Sequence, residues 1–195
     1  MRVVILTNDI VSELLINRLK EAGEELFIIN EKIDLNKLEI LDPSLIITYG
    51  YDCLITEDII NAFGKSLINL HHSYLPWNRG MNADIWALID NTPKGVTIHK
   101  IDMGINSGDI LVQEEIVFDD STDTLASVKA RLQQAMLDMF NVNWKYLKEK
   151  RIIPTKQKKG GSVHKSADLN KYRRIIEKAS HLPIKEFRRL CMEVK

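Results

Sequence analysis

Thiols are scarce in this chain: two cysteines, Cys53 and Cys191, in 195 residues. They lie far apart and form no CxxC pair, which reads as a reducing, cytoplasmic setting without a structural zinc site. Net charge is also missing. Twenty-seven Lys and Arg balance 27 Asp and Glu, so no global field draws nucleic acid or a membrane surface. No apolar run is long enough to span a bilayer. The opening MRVVILT carries one positive charge and breaks at Asn8 and Asp9, so it is neither a signal peptide nor a membrane segment. Repeats and low-complexity stretches are absent. So is glycine in the turn Thr7-Asn8-Asp9-Ile10, which argues against a GxGxxG dinucleotide site. No HExxH occurs, and no metal site is expected. What remains is 45% hydrophobic and 28% charged, the balance of a soluble globular protein of one domain with at most a small appendage.

Short apolar β-rich runs recur along the chain. Val3–Thr7, Leu26–Ile29, Leu45–Thr48 and Ser66–His71 read as strands, the first buried on both faces as in a parallel sheet. Between them, Ile10, Leu14, Leu15, Ile16 and Leu19 fall at helical spacing before Gly23, and Thr56 caps a short helix through Ala62. Asn82–Asp90 reads as a helix, Gly95–Asp102 and Asp109–Ile116 as strands, and 121–150 as one long helix. Strands alternating with helices at this spacing predict a doubly wound, mostly parallel α/β sheet of Rossmann-like type, with ligands at the carboxyl ends of the strands. The main domain is placed at residues 1–150. Residues 151–195 read as a basic linker and a small C-terminal helical appendage, with helices over 169–179 and 183–194.

Asn69 and His71 fall at the carboxyl end of the fourth strand, in INLHHSYLPWNRG (68–80). Alternate side chains of a strand share a face, so these two point together while Leu70 and His72 point away. Adjacent histidines that diverge are a poor metal pair. An amide beside an imidazole suits acyl transfer: the amide N–H can bind a developing oxyanion, and the imidazole can carry a proton. Alone, such a pair is more often just satisfied polar residues at a strand end.

The pair is not alone. N-L-H-x-S-x-L-P, followed by Gly95, Thr97, His99 and the loop D-M-G-I-N-S-G-D from Asp102 to Asp109, resembles the folate-dependent formyltransferase family over roughly residues 1–145. That resemblance implies formyl transfer from N10-formyltetrahydrofolate to a primary amine by an Asn, a His and an Asp. The first two map onto Asn69 and His71. At the position of the family's aspartate this chain has Asn106. Three readings stay open: a site impaired by the neutral residue, a charge supplied instead by Asp102 or Asp109, or a site turned over to binding. An Asp-to-Asn exchange at the orienting position of a protease triad costs on the order of 10⁴ in rate.

Within the family, the missing Gly-rich turn after the first strand disfavours a ribose-phosphate substrate. The chain most resembles the short sugar-nucleotide N-formyltransferases. The resemblance implies folate contacts at Cys53, Leu54, Ile55, Asp102 and Gly104. It implies contacts to a nucleotide-linked amino sugar for polysaccharide synthesis at Asn8, Ser73, Trp77, Arg79, Gly80 and Asn82. It implies no metal, nucleic acid or membrane, and is compatible with a homodimer. Lys156, Lys158 and Lys159 would suit a diphosphate, and equally a solvated linker. A formyltetrahydrofolate hydrolase and a catalytically silent folate- or nucleotide-binding protein are the alternatives.

Overall fold

The apolar runs become strands in the computed structural model, which describes residues 1–194. In chain order the elements are β1 (Arg2–Leu6), α1 (Glu13–Glu21), β2 (Glu25–Ile29), α2 (Leu35–Leu41), β3 (Leu45–Tyr49), α3 (Glu57–Phe63) and β4 (Leu67–His71). There follow β5 (Arg79–Gly80), α4 (Ala83–Ile89), β6 (Gly95–Lys100), β7 (Ile110–Glu115), α5 (Leu125–Lys148), β8 (Val163–His164), α6 (Arg173–Ala179) and α7 (Ile184–Met192). Six strands form a sheet in the order β2-β1-β3-β4-β6-β7, and β5 pairs with β8 in a second, two-stranded sheet.

β2, β1, β3 and β4 are parallel neighbours. β1 and β3 are buried along almost their whole length, which is why their sequences do not alternate. At the far side the pairing changes sense. Ile101 N–H donates to the Leu67 carbonyl (3.3 Å) and Lys100 N–H to the Asp109 carbonyl (2.9 Å), so β6 runs against β4 and β7 against β6. The sheet is thus mostly parallel with an antiparallel margin. The order β2-β1-β3 reverses direction at β1, leaving a switch point where β1 and β3 end side by side. Gly50 sits there with φ +63, and a Cβ on it would lie 2.6 Å from the Asp9 Cβ. Asn8 N–H donates to the Gly50 carbonyl at 2.8 Å.

The chain divides into two compact units. The first holds Met1–His71, Ile98–Val112 and Met139–Lys156; the second holds His72–Thr97, Gln113–Asp138 and the chain from Gln157 onward. The first has a core of Val4, Leu6, Ile29, Leu38, Ile46 and Ile59. Helix α2, which the reading above leaves unassigned, contributes Leu38. It starts at Asp34, whose side chain accepts from Lys37 N–H, and ends at Asp42 in a left-handed conformation. Glu24, almost fully buried, lies 2.6 Å from the Met1 amino group and 2.5 Å from Lys148 Nζ. Burial is the largest influence on its pKa and pushes it up, but the bonds and charges of Lys148 and the amino group together hold it below the ordinary value.

In the second unit α4 is buried along its length. Arg188 of α7 donates to the Leu88 carbonyl (3.0 Å) and to Asp120 (2.6 Å), satisfying a carbonyl at the end of α4. Ile184, Phe187 and Cys191 form the buried stripe of α7. β8 pairs in parallel with β5, Arg79 opposite Val163 and Gly80 opposite His164. The His164 ring stacks on Trp86, with centroids 4.0 Å apart and planes 6° from parallel. Neither the β5–β8 pair nor the Trp86–His164 stack is apparent from the sequence alone.

Two stability outcomes follow from these contacts. Glu24→Gln lowers stability at pH 7 by about 1–3 kcal/mol, because two cations lose a buried partner. A carboxylate whose pKa is depressed by folding stabilises above its unfolded value. The gap between variant and parent therefore closes as pH falls below about 4.3, as denaturant unfolding across pH would show. Gly80 has φ +101, and a Cβ there would strike the His164 carbonyl oxygen; Gly160, at φ +97, has open space around it. Gly80→Ala should cost more than about 1 kcal/mol, and Gly160→Ala less, by the same measurement.

Candidate functional site

Within the first unit, Asn69 and His71 emerge half-buried at the end of β4, while Leu67, Ile68 and Leu70 are buried. The parallel register sets Thr48 of β3 opposite Asn69. On its other side Asn69 meets His99 of β6, which is 1% exposed. Three polar side chains thus lie in a row across three neighbouring strands of an otherwise apolar sheet.

Hydrogen bonds fix the row from both ends. His99 Nδ1 lies 2.6 Å from the Lys100 carbonyl oxygen. A carbonyl can only accept, so Nδ1 carries the proton, and Nε2 of the neutral ring is an acceptor. Asn69 Nδ2 donates to that Nε2 at 3.0 Å. At the other end the Thr48 hydroxyl donates to Asn69 Oδ1 at 2.7 Å. The orientation of the Asn69 amide is therefore determined, and one of its two N–H bonds is directed at His99. The His71 ring lies 6.2 Å from the His99 ring, nearly perpendicular to it. Asn106 brings its Nδ2 to 3.4 Å from the same Nε2 of His99. It does so from a left-handed backbone conformation, φ 48, which asparagine tolerates better than most residues.

The loop carrying Asn106 is shaped by Asp102. Its carboxylate accepts from Gly104 N–H (3.0 Å) and from the Ser107 hydroxyl (2.6 Å). With these bonds Asp102 holds the turn of its own loop. The Asp109 main chain closes the hairpin by accepting from Lys100 N–H. The structure thus gathers Asn69, His71 and Asn106, and adds Thr48 and His99, which the sequence reading does not assign to the site. Their signal is a buried polar residue inside a mostly apolar strand, Thr48 alone in β3 and His99 beside Thr97 in β6.

The other candidates fall in two places. At the carboxyl ends of β1, β2 and β3, the Asn8 side chain donates to the Asn30 carbonyl and accepts from Asp52 N–H (3.3 Å). Beside it Cys53 and Ile55 are half-buried and Leu54 is 80% exposed. In the second unit, the buried Ser73 hydroxyl donates to the Trp77 carbonyl. Arg79 donates twice to Gln157 Oε1, at 3.1 and 2.8 Å. Asn82 precedes α4 with φ 56. Among the described residues, no group of three His, Cys, Asp or Glu could hold a metal ion, and no helix is long and apolar enough to cross a membrane.

The chain as a whole is similar to known proteins. The formyltransferase PseJ from Anoxybacillus kamchatkensis, solved with UDP-4,6-dideoxy-4-formamido-L-AltNAc and tetrahydrofolate, is 33% identical with a TM-score of 0.88, over 96% of this chain and 97% of that one. Methionyl-tRNA formyltransferase of Caldanaerobacter subterraneus subsp. tengcongensis is 30% identical over 64% of this chain and 40% of that protein. GDP-perosamine N-formyltransferase of Brucella melitensis is 31% identical over 52% of this chain and 39% of that protein. The chain spans about two-fifths of the length of these two curated relatives. Residues 5–141, well over half of the chain and including every member of the polar row, match the formyl transferase domain model, and the chain belongs to the formyl transferase family.

Proposed function

We propose that this protein transfers a formyl group from N10-formyltetrahydrofolate to the primary amine of a nucleotide-linked amino sugar. The observation that carries the reading is the likeness to PseJ, which runs over almost the whole of both chains.

The polar row suits the chemistry. An amine attacking a formyl carbon forms a C–N bond, pushes charge onto the formyl oxygen and must lose a proton. As the bond from that carbon to N10 breaks, N10 must gain one. Asn69, its amide held by Thr48 and His99, has a second N–H with which to donate to the developing oxyanion. His71 takes the amine proton and delivers it to N10. His99 is a positioning residue acting through Asn69. Asn106, whose amide lies beside His99, is neutral and supplies no charge to stabilise an imidazolium on His71, so the transfer runs slower than with a carboxylate there. The exposed Leu54, with Cys53 and Ile55, offers an apolar surface suited to a pteridine ring. Asp102 and Gly104 would contribute loop shape there. Ser73, Trp77, Arg79, Gly80 and Asn82 are assigned to the nucleotide sugar together with Asn8.

The test is formyl transfer to UDP- and dTDP-linked 4-amino sugars, followed by mass spectrometry of the sugar product. Transfer to at least one of them is expected, and Asn106→Asp should raise kcat, with a ceiling near the ~10⁴ of the protease exchange. Formate released without any amine would indicate hydrolysis instead. Ligand binding without turnover in either form would indicate a silent binding protein.

Thr48→Val tests the amide alignment. It keeps the side-chain shape and removes one hydrogen bond to Asn69. kcat should fall about tenfold to a hundredfold with KM for the sugar little changed. An equal fall in kcat for Asn69→Ala and for the double variant would place both residues in one unit.

A further inference from the structure

At the opposite end of the parallel strands from the polar row, the first unit contains a cavity of about 300 Å³. Its walls include Leu45 at the start of β3, Ile68 of β4, Leu111 of β7 and Leu147 of α5. Three lysines also line it: Lys65, Lys100 and Lys150. No carboxylate is among the lining residues, and none of the three lysines enters an ion pair among the described residues.

The lysines are held in place by neutral acceptors. Lys100 Nζ donates to the Lys65 carbonyl (2.6 Å), and Lys150 Nζ donates to the Ser66 hydroxyl (2.7 Å). Each ammonium has three donors, and these bonds use one apiece. Lys100 is half-buried, and its pKa lies below the ordinary lysine value, first because of burial and then because of the Lys150 charge. Lys65 and Lys150 are exposed to solvent while Lys100 is half-buried; three like charges converging on an apolar hollow repel one another, and an anion between them relieves that repulsion. An apolar pocket with a few convergent polar groups is the usual form of a small-molecule site.

We propose that this cavity binds a small amphipathic anion, a carboxylate with an aliphatic body of medium length. The body lies against Leu45, Ile68, Leu111 and Leu147, and the head is held by Lys100 and Lys150, with Lys65 at the rim. None of these residues belongs to the polar row or to the sugar and folate assignments, so the site stands apart from the formyl-transfer reading.

The experiment is calorimetric titration of the full chain with octanoate, octanol and acetate, at equal ionic strength. Octanoate should bind at least about tenfold more tightly than octanol, as expected for one charge-assisted hydrogen bond, and acetate should not bind measurably. Lys100→Met with Lys150→Met should remove the preference for octanoate over octanol. Leu111→Trp, which fills the hollow from a half-buried position, should abolish binding of both. The proposal is overturned if octanoate does not bind at millimolar concentration, if octanol binds as well as octanoate, or if acetate or inorganic phosphate binds as tightly as octanoate. Circular dichroism of each variant separates loss of binding from loss of folding.

Discussion

The proton on His99 Nδ1 sets the rest of the site. It is placed by the carbonyl of the next residue, Lys100, 2.6 Å away, so the position is inherent in the strand. With that proton fixed, Nε2 presents a lone pair, the Asn69 amide turns its nitrogen to it, and the Asn69 oxygen faces the Thr48 hydroxyl. Each member has a partner of the opposite kind, which is the condition for keeping polar groups inside a sheet at all. The amide orientation that a developing oxyanion needs is thereby set in advance of any ligand.

The sheet makes this row possible. Thr48, Asn69 and His99 are distant in sequence and are neighbours only through the parallel pairing of β3 with β4 and the reversed pairing of β4 with β6. A one-residue slip of either strand would turn its polar residue to the opposite face. The continuous burial of β1 and β3 and the tight approach of Gly50 to Asp9 hold the register. Core packing and the geometry of the polar row are in that sense the same constraint.

This also explains what could be read from the sequence. Asn69 and His71 were legible because they lie two apart in one strand and end an apolar run, so face and position follow from local pattern. The parallel half of the sheet was legible for the same reason, from unbroken apolar runs separated by helical spacing. Thr48 and His99 are not legible in this way: they sit in separate strands, His99 beside a second buried polar residue, Thr97, and only register joins them to Asn69. Helix α2 is hard to read although Leu35, Leu38 and Leu41 recur at helical spacing, because seven residues offer little periodicity. The β5–β8 pair involves two residues on each side, and its signal is tertiary: a left-handed Gly80 against the His164 carbonyl and a ring stacked on Trp86.

Asn106 is where local chemistry and family pattern diverge, and His99 gives the divergence a physical sense. The Nε2 lone pair already accepts from Asn69. A carboxylate at 106 would place a full negative charge beside His99 where this chain has an amide dipole. An amide at 106 can approach the lone pair as a donor, as its 3.4 Å separation allows. The tautomer of His99, the orientation of Asn69 and the neutral residue at 106 are therefore mutually consistent. The arrangement keeps the amide aligned without adding a charge at the strand end.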